Sequence, residues 1–173
     1  MFSGKSTVLY RQVSRALRAK KTVQVFVPRL DRRSDGQVVT HDRVTLSSLK
    51  ITPLVVDSSR EMFDVLMKPD VAIIDEAQFF DHDLPLFIPL ILDQGTTIVV
   101  AGLDQTSEGE PFGPMPHLMS LADRVEKLTA ICHCGAEATR TLCRVEKTGT
   151  VDVGGAEKYV PACYRCWRNK VGG

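Results

Sequence analysis

Two acids side by side, Asp75 and Glu76, close an apolar run of Val71, Ala72, Ile73 and Ile74. Neighbouring residues of an extended chain point to opposite sides. The two carboxylates can therefore take different tasks, one holding a metal through water and the other accepting a proton. An apolar run that ends in two acids is a loose pattern on its own. Gly4, Lys5, Ser6 and Thr7 supply a second group. They match the end of a phosphate-binding loop, G-x-x-x-x-G-K-[ST]. In such a loop the glycine lets the backbone approach phosphate and successive N–H groups form an anion nest. The lysine then reaches the β/γ-phosphates, and the hydroxyl of Ser6 ligates Mg2+. The third group is two close cysteine pairs, Cys132 with Cys134 and Cys163 with Cys166. In a reducing compartment, pairs at short spacing point to metal rather than to disulfides. Cys163 and Cys166 have the usual C-x-x-C zinc spacing, whereas Cys132 and Cys134 are one residue closer, which strains simultaneous chelation. Cys134, Cys163 and Cys166 are the firmer ligands, and His133 is an alternative to Cys132. Cys143 stands alone and reads as a structural thiol.

These groups need elements to position them. The run before Asp75 suits a strand buried on both faces of a parallel sheet, and such a strand delivers its last residues to the carboxyl edge where open α/β proteins bind ligands. After the phosphate loop, Val8, Leu9, Val13, Ala16 and Leu17 share one face of a helix whose positive end would meet phosphate. Residues 22–28 read as a strand ended by Pro28, and residues 29–43 as a polar stretch carrying Asp31, Arg32, Arg33, His41, Asp42 and Arg43. Residues 54–56 are a short strand. A helix then starts at Ser58 or Ser59 with Glu61 and runs to about Met67, where Lys68 and Pro69 stop it. Residues 84–92 read as a helix of two to three turns in which Pro89 argues for a break or a late start. Residues 96–104 are another largely apolar strand. This alternation predicts a parallel α/β sheet. Residues 107–116, with three prolines and two glycines, read as a loop, 118–124 as a short helix and 125–131 as a strand. Beyond that, an alternating, threonine-rich section between the cysteine pairs reads as two β-hairpin arms pinned by zinc, with a glycine-containing loop over 145–159.

Size and charge bound the whole. At 173 residues the chain is one domain, or one with a small appendage, and a formal net charge of +1 gives no global field for nucleic acid or membrane. No stretch approaches the ~18 apolar residues of a membrane span, and no apolar signal-peptide core opens the chain. The expectation is a soluble cytoplasmic protein. The first glycine of the phosphate motif would fall two residues ahead of Met1, so an upstream apolar strand is expected in the coding sequence.

In order along the chain, these stretches resemble the type II, cellular-type thymidine kinase family, and the resemblance covers essentially all of it. The residues that carry it are Met1, Phe2, Ser3, Gly4, Lys5 and Ser6, then Asp31, Arg32 and Arg33, then Thr40 and His41. They continue with Asp75, Glu76, Ala77, Gln78, Phe79 and Phe80, with Ala101, Gly102, Leu103 and Asp104, and with Pro111, Phe112 and Gly113. Lys127, Leu128, Thr129 and Ala130, the stretch from Val153 to Tyr159, and Cys163 with Cys166 complete the set.

The resemblance implies a P-loop NTPase-like parallel sheet flanked by helices over 1–131. It also implies a small zinc-binding β subdomain over 132–173 that carries a nucleoside-binding "lasso" loop. The implied activity is transfer of the γ-phosphoryl of ATP to the 5′-hydroxyl of thymidine with Mg2+, deoxyuridine being an open second substrate. Glu76 matches the general base. Met1, Phe2, Ser3, Gly4, Lys5, Ser6, Asp31, Arg32, Arg33, Asp75, Glu76, Ala77 and Gln78 match the ATP and magnesium positions. Phe79, Leu103, Thr141, Thr150, Val151, Asp152, Val153, Gly154 and Tyr159 match the nucleoside positions. Cys132, Cys134, Cys163 and Cys166 match the structural zinc ligands. A homotetramer and feedback inhibition by thymidine triphosphate are implied as well. Ser107 departs from the family, which commonly has an aromatic residue there. Other readings of the same residues are a P-loop ATPase whose mildly basic zinc module binds nucleic acid, and an inactive kinase homologue.

Overall fold

The computed structural model describes residues 2–29, 46–144 and 158–171. Its centre is a four-stranded parallel sheet in the order β2-β1-β3-β4, built from β1 (Val23–Pro28), β2 (Leu54–Val56), β3 (Val71–Ile74) and β4 (Thr97–Val100). Alternate residues face opposite sides, and both sides are covered. Val25, Val27, Val71 and Ile73 pack with Leu9, Val13 and Ala16 of helix α1 (Lys5–Arg18). Phe26, Val56, Ala72 and Ile74 meet the other layer, made of α2 (Ser59–Asp64), α3 (Leu84–Leu92) and α4 (Met115–Leu121). All four residues of β3 are buried, as expected for an inner strand covered on both faces.

Several elements differ from their sequence reading. The helix expected to reach Met67 stops at Asp64. Gln24 of β1 accepts the Met67 N–H at 2.7 Å and donates to the Val65 carbonyl, so side-chain bonds take over where the helix would have continued. Pro89 neither breaks nor delays α3, which runs unbroken through it. Pro89 lies on the solvent face, where an unmade backbone bond is least costly. The loop read over 107–116 and the helix read over 118–124 are redrawn, because α4 begins at Met115 with proline in its first turn. There the missing proline N–H has no helical partner to lose. The strand read over 96–104 forms a ladder only from Thr97 to Val100. That read over 125–131 shortens to β5 (Ala130–Ile131), where β6 (Glu137–Ala138) offers a partner.

Beyond β5 a third core gathers Ala130, Cys132, Ala138, Leu142 and Ala162, with Cys163, Cys166 and Trp167 against it. β7 (Arg140–Cys143) pairs antiparallel with β8 (Tyr159–Ala162). The second cysteine pair does not close a hairpin arm. It opens a helix, α5 (Tyr164–Val171), which carries Cys166 and Trp167.

Candidate active site

The carboxyl ends of three strands are laced together at one edge of the sheet. The Asp75 N–H donates to the Phe26 carbonyl, the Ala101 N–H to Ile74, and the Ala77 N–H to Ala101. Asp75 and Glu76 therefore emerge where β1, β3 and β4 end, the edge at which parallel α/β sheets place their ligands. α1 starts beside them. Gly4 caps it with a left-handed φ of 80°, and no acidic side chain occupies its first turn. Its N-terminal amides and partial positive charge are left for an anion.

Lys5 joins the two motifs. Its Nζ donates to Asp75 Oδ1 at 2.6 Å and to Glu76 Oε1 at 2.7 Å. The lysine side chain is 19 % exposed. Burial works against its charge, but the adjoining Asp75 and Glu76 carboxylates outweigh that and hold the ammonium well above the usual lysine pKa. Asp75, only 4 % exposed, goes the other way. Burial raises its pKa, and Lys5 offsets that only in part. The two neighbouring acids thus differ in environment, one sunk in the core and one nearer the edge.

Glu76 itself is held in an uncommon backbone conformation, φ 51° and ψ 39°. A non-glycine residue there costs on the order of 1–3 kcal/mol, which the surroundings must offset. The Glu76 N–H donates to Asp75 Oδ1 at 2.8 Å, and the Glu76 carbonyl accepts from Phe79. Its carboxylate is gripped from two sides, by Lys5 on Oε1 and by Gln78 Nε2 on Oε2 at 2.6 Å. Gln78 is buried, and its own Oε1 accepts the Leu103 N–H at 2.9 Å. The side chain of Gln78 therefore joins Glu76 to the strand end after β4. Gly113 lets the next loop press against the same residue, because a Cβ there would stand 2.3 Å from the Gln78 carbonyl oxygen.

An aromatic pair follows. Phe79 and Phe112 meet edge to face with centroids 5.5 Å apart. The Phe112 N–H bonds to the Asp104 carbonyl, while the Asp104 carboxylate pairs with Lys127 at 2.9 Å.

The thiols of Cys132, Cys134, Cys163 and Cys166 all lie within 4.8 Å of one another, so all four cysteines come together despite the short first spacing. Cys134 and Cys163 are 3.7 Å apart at sulfur. A tetrahedral zinc with arms of ~2.3 Å has sulfur–sulfur edges of ~3.8 Å, so the cluster could hold such an ion. Backbone N–H groups of Cys134 and Cys163 draw the Cys132 thiol down to about 6, whereas the adjoining Cys163 and Cys134 thiols push the Cys166 thiol up to about 12, so the bare cluster favours one thiolate at Cys132. The His133 ring lies alongside, with Nδ1 3.6 Å from Cys132 Sγ and Nε2 3.8 Å from Cys166 Sγ.

Lys5, Asp75, Glu76 and Gln78 form one hydrogen-bonded group, with Gly4 and Ser6 beside Lys5 in the chain and Ala77 and Phe79 following Glu76. Leu103 joins through its backbone. Thr141 and Tyr159 sit on the antiparallel β7–β8 pair, opposite Pro161 and Cys143 respectively. Met1, Asp31, Arg32, Arg33, Thr150, Val151, Asp152, Val153 and Gly154 lie outside the described residues. Sequence reasoning did not find the internal bonds of Gln78, the Phe112 partner of Phe79, or Trp167 beside the cysteines. The first two depend on contacts between distant segments and leave no local spacing signal, while Trp167 follows Cys166 in the chain and only its bond to Ser107 is distant.

A family model described as thymidine kinase matches residues 1–167. Among curated relatives, a thymidine kinase from Rhodothermus sp. (strain ITI 518) is 43 % identical over 170 residues, covering 97 % of this chain and 78 % of the relative. One from Porphyromonas gingivalis (strain ATCC BAA-308 / W83) is 42 % identical, covering 97 % and 81 %. One from Bacteroides fragilis (strain YCH46) is 41 % identical, covering 97 % and 83 %.

Proposed function

The chain belongs to the thymidine kinase family, and on that premise we propose that it moves the γ-phosphoryl group of ATP to the 5′-hydroxyl of thymidine, with Glu76 as general base. The observation that carries this reading is the grip on Glu76. Its carboxylate stands at the sheet edge beside the α1 N-terminus, with one oxygen on Lys5 and the other on Gln78. A fixed carboxylate can accept the hydroxyl proton as the phosphoryl group arrives.

Each neighbour has a part. Lys5 is drawn from the two acids toward the β/γ-phosphates when ATP binds, and the α1 amides cradle those phosphates. Mg2+ would neutralise developing phosphate charge, and the oxygen donors Ser6 and Asp75, with Asp31, suit so hard a cation. With Lys5 on the phosphates, Gln78 still holds Oε2, and Oε1 of Glu76 is turned to the nucleoside hydroxyl. Phe79 offers an aromatic face to the base, with Phe112 set behind it. Met1, Phe2, Ser3, Arg32, Arg33 and Ala77 complete the nucleotide side. Leu103, Thr141, Thr150, Val151, Asp152, Val153, Gly154 and Tyr159 complete the nucleoside side.

Zinc held by Cys132, Cys134, Cys163 and Cys166 would fix the fold of a C-terminal unit spanning 132–173, which presents that lasso. A homotetramer, inhibition by thymidine triphosphate and a cytoplasmic site of action belong to the same reading. Among the described residues, no helix is long and apolar enough to cross a membrane.

The test is thymidine-dependent release of ADP by the purified protein and by its Glu76→Gln variant. The expected result is retained nucleotide binding with turnover lower by ~10²–10⁴-fold, the usual worth of a positioned base. Unchanged turnover would remove Glu76 from the role, and release of ADP independent of thymidine would point to an ATPase.

A further inference from the structure

Cys163 and Cys166, half of the four-thiol cluster, lie at the start of α5, and Trp167 follows directly. The Trp167 amide donates to the Cys163 carbonyl at 2.9 Å, so the indole is carried by the same helical turn as both thiols. From there it reaches out of its own unit. Nε1–H donates to the Ser107 carbonyl at 2.8 Å, sixty residues away. The ring also lies so close to Gly109 that an added Cβ would stand 2.9 Å from it. Arg140 of β7 sits 5.8 Å over the Trp167 ring, and Tyr164 stacks at 6.0 Å. The indole is thus fixed on its own side by two contacts and fastened on the other to one loop.

That loop is short and closed by its own hydrogen bonds. The Thr106 N–H donates to Glu110 and the Gly109 N–H to Thr106, and a bridge joins Gln105 to Pro111. It leads on to Phe112, whose ring meets Phe79, and to Gly113, packed on Gln78. A displacement at Ser107 would pass through a bonded turn to the aromatic pair beside Glu76.

We propose that Trp167 is a positioning residue that couples the four-thiol cluster to the Phe79–Phe112 wall, so that the state of the cluster is felt at the nucleoside side of the site. The coupling itself stands on the contacts above, and only its effect on thymidine rests on the proposed function.

Trp167 is the single tryptophan of the chain, so its emission reports this joint without ambiguity. Zinc is withdrawn from the reduced protein with a chelator while emission is followed. The expected result is a shift to longer wavelength, reversed when zinc is restored. Trp167→Phe keeps a ring and deletes the Nε1–H. It should retain the zinc content of the parent and raise the thymidine KM roughly 3–10-fold, the worth of one hydrogen bond, with the ATP KM and kcat within about twofold. Gly109→Ala, which strains a loop residue at φ 87° and forces the indole and the loop apart, should shift the emission without loss of zinc. Emission indifferent to zinc withdrawal would overturn the proposal, as would a Trp167→Phe enzyme with an unaltered thymidine KM. An emission response in a protein that turns over no thymidine would support the coupling and defeat the kinase reading instead.

Discussion

Gln78 is buried within the Asp75–Glu76–Lys5 group, yet its two side-chain bonds are spent on the protein itself. The bond to Oε2 fixes the orientation of the Glu76 carboxylate, and the bond from Leu103 fixes Gln78 in turn. Gln78→Leu preserves the bulk and removes both bonds. Turnover should fall about tenfold with little change in either KM, one hydrogen bond's worth of orientation. Stability should drop by about 1–3 kcal/mol, because the Leu103 N–H loses its acceptor. Steady-state kinetics with turnover unchanged would limit Gln78 to packing. Asp75 makes a complementary case. Its pKa is raised by burial, so above that value the native state carries a charge it would rather lose. Asp75→Asn should therefore raise the Tm near neutral pH. The gain over the parent should shrink as pH falls through the raised native value and vanish below the unfolded one, ~3.9. Its affinity for Mg2+ should weaken ~10–100-fold, the usual effect of losing an outer carboxylate. Thermal melts across pH, with magnesium titration, check both effects.

At the scale of elements, α2 depends on its first residues. Ser58 caps it by accepting from the Glu61 N–H at 3.1 Å, while Glu61 in turn accepts from the Asp57 N–H at 2.6 Å. The reciprocal partner is one residue earlier than in the usual capping box. Ser59 is 1 % exposed and gives both its N–H and its hydroxyl to Asp81, which follows β3 and its 3-10 turn. α2 is thereby pinned to the segment that leaves the candidate site. Burial would raise the Asp81 pKa, but the Ser59 bonds outweigh it and hold the carboxyl below its usual range. A lowered native pKa stabilises the fold above the unfolded value, ~3.9, and that contribution is lost as pH falls through the native one. Asp81→Ala should cost about 1–2 kcal/mol at pH 7 by orphaning a buried hydroxyl and amide. Asp81 is largely exposed, which favours the lower figure. Denaturant unfolding at several pH values should show the gap between parent and variant closing in acid. A gap independent of pH would assign the loss to something other than this carboxylate.

For the molecule as a whole, two packed sandwich faces surround one parallel sheet, and a smaller core of few residues hangs on cysteines. A core that small buries little apolar surface, and a metal is the common remedy. Cys163→Ser should lower bound zinc well below one ion per chain and reduce the Tm. The C-terminal strands should lose protection from hydrogen exchange before the central sheet does. Zinc content equal to the parent's would contradict the four-thiol site.

The strands and the helix behind the phosphate motif were legible because their signals are local. Val71 to Ile74 are apolar without alternation, as burial on both faces requires, and a glycine before Lys5 and Ser6 has few other uses. The candidate acids were legible for the same reason, since a strand that ends in charge must present that charge at the sheet edge. Element boundaries were less so. α2 ends early through Gln24, 43 residues upstream of Met67, and 125–131 is mostly not strand because only its last two residues find a partner. The sequence by itself determined the chemical inventory and the layered α/β plan, for both follow from residue type and short-range period. Only the tertiary structure decided which oxygen of Glu76 meets Lys5 and which meets Gln78. It alone brought the closely spaced Cys132 and Cys134 together with Cys163 and Cys166, and joined Trp167 to Ser107. Those contacts link residues far apart in sequence, and their geometry is set by packing, which no local pattern encodes.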